Sequence, residues 1–278
     1  MKFIKWTLLL FCCLNLGRLV AQPSFAVQKE GAGKKSIVFI PGFGCSGDVW
    51  KETVAAYKQN YTCHILTMPG FGGARPEAAP NMSQWVTSIA AYIREQKLEK
   101  PVIVGHSMGG GMALLLAARY PDLIGRIVVV DALPCLSAIM NPGFKSTPNP
   151  DCSAFAARFT TLNDSAFYQM EQRSIGALMT DTVHKKEAVN WGIRSDKETL
   201  GRIFCQFSNL DMRDSLGRIT CPALVLLEAP FANMKPAVEA QYHGLHTGTL
   251  VYATKGLHFI MFDDPQWYND QLARFIKQ

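Results

Sequence analysis

The chain has 278 residues, 48% hydrophobic and 18% charged, enough apolar mass for one large folded unit and too much for a disordered chain. Its 28 Lys and Arg against 22 Asp and Glu give +6, and three of the cations, Lys2, Lys5 and Arg18, precede Gln22. The remainder has too small an excess, and no basic run with interleaved aromatics, for nucleic acid to be a partner.

The first residues read as a targeting segment. Lys2 and Lys5 form a basic start, and Trp6 to Leu16 is an apolar run broken only by Thr7 and Asn15. Leu19-Val20-Ala21 offers a cleavage site before Gln22, although Leu19 is larger than the small residue preferred there. The run is too short for a comfortable membrane span. The expectation is a signal peptide over 1–21, cleaved near Ala21, a secreted or periplasmic protein, and no stable membrane span after removal. A frayed N-terminal helix is the bland alternative. Of the eight cysteines, Cys12 and Cys13 would leave with that segment. Cys45, Cys63, Cys135, Cys152, Cys205 and Cys221 remain; export permits disulfides among them, but spacing does not fix the pairing. None has the spacing of a metal site.

Short apolar, β-branched runs then alternate with helical stretches. Ser36–Ile40 reads as a strand ended by Pro41-Gly42, and Asp48 to about Lys58 as a helix. Cys63–Met68 is a second strand, closed by Pro69-Gly70-Phe71-Gly72-Gly73, and Ser83 starts a helix through Ile89, Ile93 and Leu98. Pro101–Gly105 is a strand, Met108–Tyr120 a helix and Arg126–Val130 a strand ending at Asp131. From about 135 to 196 only helical pieces appear. The alternation resumes with a helix over Thr199–Asn209, strand Ala223–Leu227, a helix around Pro236–Tyr242, strand Thr249–Tyr252 and a closing helix capped by Asp264-Pro265. This order predicts an α/β fold: one domain over 22–278, with a mostly parallel central sheet flanked by helices and a helical cap inserted at about 135–196.

In such a sheet reactive groups gather where strands end and helices begin. Gly105-His106-Ser107-Met108-Gly109 is a G-x-S-x-G turn between a strand and a helix, sharp enough that the neighbours of the serine must lack side chains. The turn lifts the Ser107 hydroxyl above the sheet edge and puts the Met108 N–H at a helix N-terminus, where developing negative charge is stabilised. A serine hydroxyl needs a base. Among the histidines, His258 lies in the loop after the last apparent strand, able to swing over Ser107. His106 points away from the tip of the turn, and His64, His184, His243 and His246 sit in a strand, the cap or a helix end.

With these motifs the sequence resembles the α/β-hydrolase superfamily, in the capped, AB hydrolase-1 type branch that includes small-molecule esterases and haloalkane dehalogenases. The resemblance covers about residues 34–278 except the cap and rests on Pro41-Gly42-Phe43-Gly44, Pro69-Gly70-Phe71-Gly72, Gly105–Gly110 and the His258 loop. Dehalogenases of this kind carry Asp at the nucleophile position, so Ser107 argues against that chemistry. The family's first loop commonly begins His-Gly; here it is Pro41-Gly42. The resemblance implies Phe43 N–H as a second oxyanion donor beside Met108 N–H. Its usual third triad member is an Asp after the strand over 223–227, where this chain has Glu228 and no Asp. Some members instead place the acid after the strand that follows the nucleophile helix, which is Asp131. A carboxylate at the mouth of a buried strand must be paired, so Asp131 is the first choice and Glu228 the alternative acid.

These parts predict a serine hydrolase that cleaves carboxylic (or thio)ester bonds of a small, apolar substrate through an acyl-enzyme, with no cofactor. Phe144, Phe155, Phe159, Phe167, Tyr168, Met170 and Met179 in the cap either pack it or line an acyl pocket. The rivals are a C–C bond hydrolase or perhydrolase with the same Ser and His, and a non-catalytic ligand-binding member of the fold.

Overall fold

Residues 24–277 are described by a computed structural model; the expected targeting segment, with Cys12 and Cys13, lies outside the described residues. Seven strands form one sheet: β1 (Ala26–Glu30), β2 (Lys35–Ile40), β3 (Tyr61–Thr67), β4 (Val102–His106), β5 (Arg126–Val130), β6 (Ala223–Leu227) and β7 (Gly248–Tyr252). Their order is β1-β3-β2-β4-β5-β6-β7. All neighbours are parallel except β1, which runs antiparallel to β3.

The apolar runs form strands because both of their faces are covered. Val38, Ile40, Ile103, Val129 and Val225 point into a core on one side of the sheet, while Ile37, Phe39, Val104, Val128 and Leu224 point into a second core on the other. Burying each such side chain contributes roughly 1.5–3 kcal/mol. β1 is the strand that the sequence pattern does not reveal. Its Ala-Val-Gln-Lys-Glu run is mostly exposed and pairs on one side only, so it needs no hydrophobic alternation.

The helices are α1 (Lys51–Tyr57), α2 (Met82–Glu95), α3 (Met108–Arg119), α4 (Ser153–Thr160), α5 (Asp164–Leu178), α6 (Thr182–Ile193), α7 (Lys197–Ser208), α8 (Lys235–Tyr242), α9 (Ile260–Asp263) and α10 (Pro265–Ile276). α2 starts where the Asn81 side chain accepts from Gln84 N–H at 3.0 Å, and buries Trp85, Ile89 and Ile93 at helical spacing. α10 starts at the Asp264 cap with Pro265 in its first turn, and buries Tyr268, Leu272 and Ile276 on the opposite side of the sheet from α2.

Between β5 and β6 stands the helical cap. The sequence reading ends it at 196, but α7 packs along α4 and the disulfide Cys152–Cys205 joins the two, so the cap continues through Ser208. A cap helix that also buries Leu200, Ile203 and Phe207 has the same pattern as a sheet-covering helix, and local periodicity cannot tell them apart. Several hydrogen bonds tie the cap to the rest of the domain. The Ser195 hydroxyl bonds to Gly72 N–H at 2.9 Å and to the Gly44 carbonyl at 3.2 Å. At the other corner, the Asp263 carboxylate accepts from the Thr180 and Asp181 amides.

Candidate active site

β4 ends at His106 and α3 begins at Met108, leaving Ser107 as a one-residue hinge with φ 54° and ψ −123°. A side chain held there costs on the order of 1–3 kcal/mol. The turn is that tight because helix and strand nearly touch. A Cβ on Gly105 would collide with the Gly109 carbonyl, and one on Gly109 with the carbonyls of Ile40 and Pro41. The strain presents Ser107 to a cavity of about 470 Å³ between sheet and cap.

Asp131, also at positive φ (50°), follows β5 and is 2% exposed. Its Oδ1 accepts from the Glu228 backbone N–H at 2.7 Å, and its Oδ2 lies 2.6 Å from His258 Nδ1. Nδ1 therefore carries the proton that it donates to Asp131, and Nε2 is left to accept. Glu228, the alternative acid, touches Asp131 only through its backbone. Its carboxyl makes no hydrogen bond among the described residues and faces the cavity. Burial, and then the charge of Asp131, push that carboxyl up to about 7.

His258 is held from behind by His106, a contact that the sequence did not signal. The His106 ring is 1% exposed, lies 4.7 Å from the His258 ring, and its Nε2 donates to the His258 carbonyl at 3.0 Å. Burial pushes the His106 pKa well below its ordinary value, so the ring is neutral. Gly42 makes room for it, since a Cβ there would come within 2.8 Å of His106 Nδ1. On His258 itself burial favours the neutral ring, but the Asp131 hydrogen bond and charge, with Glu228, outweigh it and raise the pKa.

Ser107 and His258 face the same cavity, with no hydrogen bond between their side chains. The Phe43 and Met108 amides have no acceptor among the described residues, and Met108 heads α3. Phe43 packs edge-on against Phe71 and Phe204, each 5.5 Å away. The cap contributes Phe159, Ile175, Leu178 and Phe204 to the cavity wall, and no Lys or Arg lines it. Phe167 and Met179 are core instead, 2% and 1% exposed. One cavity residue was not legible in the sequence: Glu171, a carboxyl on α5 that is 8% exposed and pushed up to about 7 by burial. Of the other histidines, His64 is buried against the Tyr92 hydroxyl and His184 pairs with Asp181 and Glu52, both away from the cavity. No cluster of His, Cys, Asp and Glu among the described residues is arranged to hold a metal ion.

A mostly parallel sheet whose serine turn, strand-end carboxylate and late histidine open on one cavity defines a class, and the chain belongs to the alpha/beta hydrolase fold family, whose family model matches residues 35–178. It is similar to the pimeloyl-[acyl-carrier protein] methyl ester esterase of Pectobacterium carotovorum, 23% identical over 89% of this chain and 96% of that protein. The protein of the same name from Vibrio parahaemolyticus is 27% identical over 72% of this chain and 76% of its own length. Among solved structures, the enol-lactonase of Burkholderia xenovorans superposes with a TM-score of 0.74 over 91% of this chain and 96% of its own, at 16% identity. A hydrolase from Oleispira antarctica does so at 0.73 over 92% and 96%, at 15% identity.

Proposed function

We propose that this protein is a serine hydrolase that cleaves a carboxylic ester of a small, largely apolar substrate through an acyl-enzyme on Ser107. The observation that carries the reading is the Asp131–His258 contact at the mouth of the cavity onto which the strained Ser107 opens. The ester-cleaving names of the relatives point the same way.

In this mechanism, ester binding draws Ser107 Oγ and His258 Nε2 into hydrogen-bond reach, and Nε2 takes the hydroxyl proton as Oγ attacks the acyl carbon. Asp131 fixes the ring and stabilises the imidazolium. The Phe43 and Met108 amides hold the oxyanion, a contribution of about 3 kcal/mol per donor in comparable sites. His258 then protonates the leaving alcohol, and water repeats the sequence to free the acid. Export belongs to the same proposal: the Cys152–Cys205 bridge favours an oxidising compartment.

Hydrolysis of p-nitrophenyl esters of graded chain length, with fluorophosphonate labelling of Ser107, tests the reading. A wild-type protein that neither labels nor hydrolyses any ester overturns it.

A further inference from the structure

Two carboxyls on the cavity wall have no task in this mechanism: Glu228, beside Asp131, and Glu171. Glu171 lies on the cap wall and makes no hydrogen bond or ion pair among the described residues, although it is 8% exposed. Burying a carboxyl without a partner is costly. A second cost stands beside it. Gly192, near the end of α6, has no positive φ that would demand glycine, yet a Cβ on it would clash with Glu171 Oε2. Glycine in a helix costs up to about 1 kcal/mol relative to Ala. Glycine there leaves the Glu171 carboxyl room to lie against α6.

The seat shares its cavity with Ser107 and His258. A Cβ on Gly44, the residue after Phe43, would lie 4.0 Å from Gly192 Cα, so the glycine beside the Glu171 carboxyl packs against the loop that carries the Phe43 amide. The titratable groups on the cavity wall are Cys45, His106, Asp131, Glu171, Glu228 and His258. None is a permanent cation. A carboxyl in such surroundings holds its proton near neutrality and offers an O–H, whereas an ionised one would require a desolvated cation to pair with.

Resting on the ester-hydrolase reading above, we infer that Glu171 is a specificity residue: its protonated carboxyl donates a hydrogen bond to an uncharged acceptor oxygen, a carbonyl or ether, carried by the acyl group close to the scissile carbonyl. Acyl chains ending in a carboxylate are disfavoured in the same pocket. Burial, which raises this carboxyl to about 7, sets the pH at which the donor is lost.

The test uses an isosteric pair, p-nitrophenyl methoxyacetate and p-nitrophenyl butyrate, in which an ether oxygen replaces one methylene. Their intrinsic reactivities differ, so the reading is the ratio of kcat/KM values compared between proteins. Replacing Glu171 by Leu should lower the methoxyacetate-to-butyrate ratio about tenfold, the worth of one buried hydrogen bond. Glu171→Gln, which keeps an N–H donor at the same place, should preserve the ratio. In the wild type the ratio should fall as pH rises through about 7, and in Glu171→Gln it should not. Binding of methyl methoxyacetate and methyl butyrate to the Ser107→Ala protein, followed by NMR, gives the same comparison without turnover. If the wild type hydrolyses neither ester, the hydrolase reading fails while the binding ratio still decides the role of Glu171. An unchanged ratio in Glu171→Leu overturns the inference. So does a preference for a 6-aminohexanoyl ester that grows with pH, because the pocket would then take a cation.

Discussion

Asp131 and His258 stand 127 positions apart in the chain, and their Oδ2 and Nδ1 atoms lie 2.6 Å apart. The second carboxylate oxygen is occupied by the Glu228 amide at 2.7 Å, so Asp131 is fixed in the orientation that aims His258 Nε2 toward the cavity.

Asp131→Asn should keep this shape while allowing an amide donor to face Nδ1, which favours the wrong imidazole tautomer. The comparable change in a serine protease lowers kcat by about 10⁴. Glu228→Gln should cost no more than about tenfold, or ~1.4 kcal/mol in the barrier. Steady-state kinetics of the two variants on one ester separate the assignments. A crippling loss in Glu228→Gln alone would make Glu228 the acid.

Ser107→Ala should abolish fluorophosphonate labelling and lower kcat roughly 10⁶-fold. Ser107→Gly should be equally inactive yet more stable than wild type by about 1 kcal/mol, because glycine accepts φ 54° without strain. Chemical denaturation of both variants measures the difference.

His106→Phe keeps a buried ring but removes the N–H that holds the His258 carbonyl. The expected result is a folded protein with kcat lowered about tenfold, the worth of one buried hydrogen bond. Unchanged kcat would mean that Asp131 alone positions the base.

The pH profile follows from the raised and buried groups. In the proposed mechanism His258 acts as base when neutral, and its pKa is raised from the ordinary 6.5, so kcat/KM should rise through an acid limb centred above that value. Stability moves the other way. A histidine with a raised folded pKa stabilises below its unfolded pKa, and that contribution is lost as pH climbs through the folded one. Glu171 acts in the same direction, with 4.5 as its ordinary value and about 7 when folded. The protein should lose on the order of 3 kcal/mol from Glu171 between those pH values. Thermal melts should show Glu171→Gln above wild type at pH 8 and no such gain at pH 4.

Secreted or periplasmic material should begin near Gln22 on N-terminal sequencing; Met1 retained on a cytoplasmic protein would refute export. The Cys152–Cys205 bridge, spanning 53 positions, should contribute about 4 kcal/mol by restricting the unfolded chain. Replacing both cysteines with Ala, followed by denaturation, checks this. Cys45, Cys63, Cys135 and Cys221 are buried and unpaired and should stay unlabelled by thiol reagents until the protein unfolds.

The sequence by itself determined whatever is written in contiguous residues. The apolar runs of β2, β4, β5 and β6 are legible because both their faces are buried. The glycines around Ser107 are legible because a strand-to-helix turn leaves no room for side chains. Asp131 could be favoured over Glu228 from its place at a strand end, but not decided, since that depends on which carboxylate points at a histidine in a distant loop. Only the tertiary structure decided that contact, together with the His106 support, the Cys152–Cys205 pairing, the continuation of the cap through α7 and the burial of Glu171. Each joins segments far apart in the chain, and none leaves a periodic mark on the residues that make it. β1 escaped for the complementary reason. An exposed edge strand is held by backbone hydrogen bonds to β3, which any residue type but proline can make.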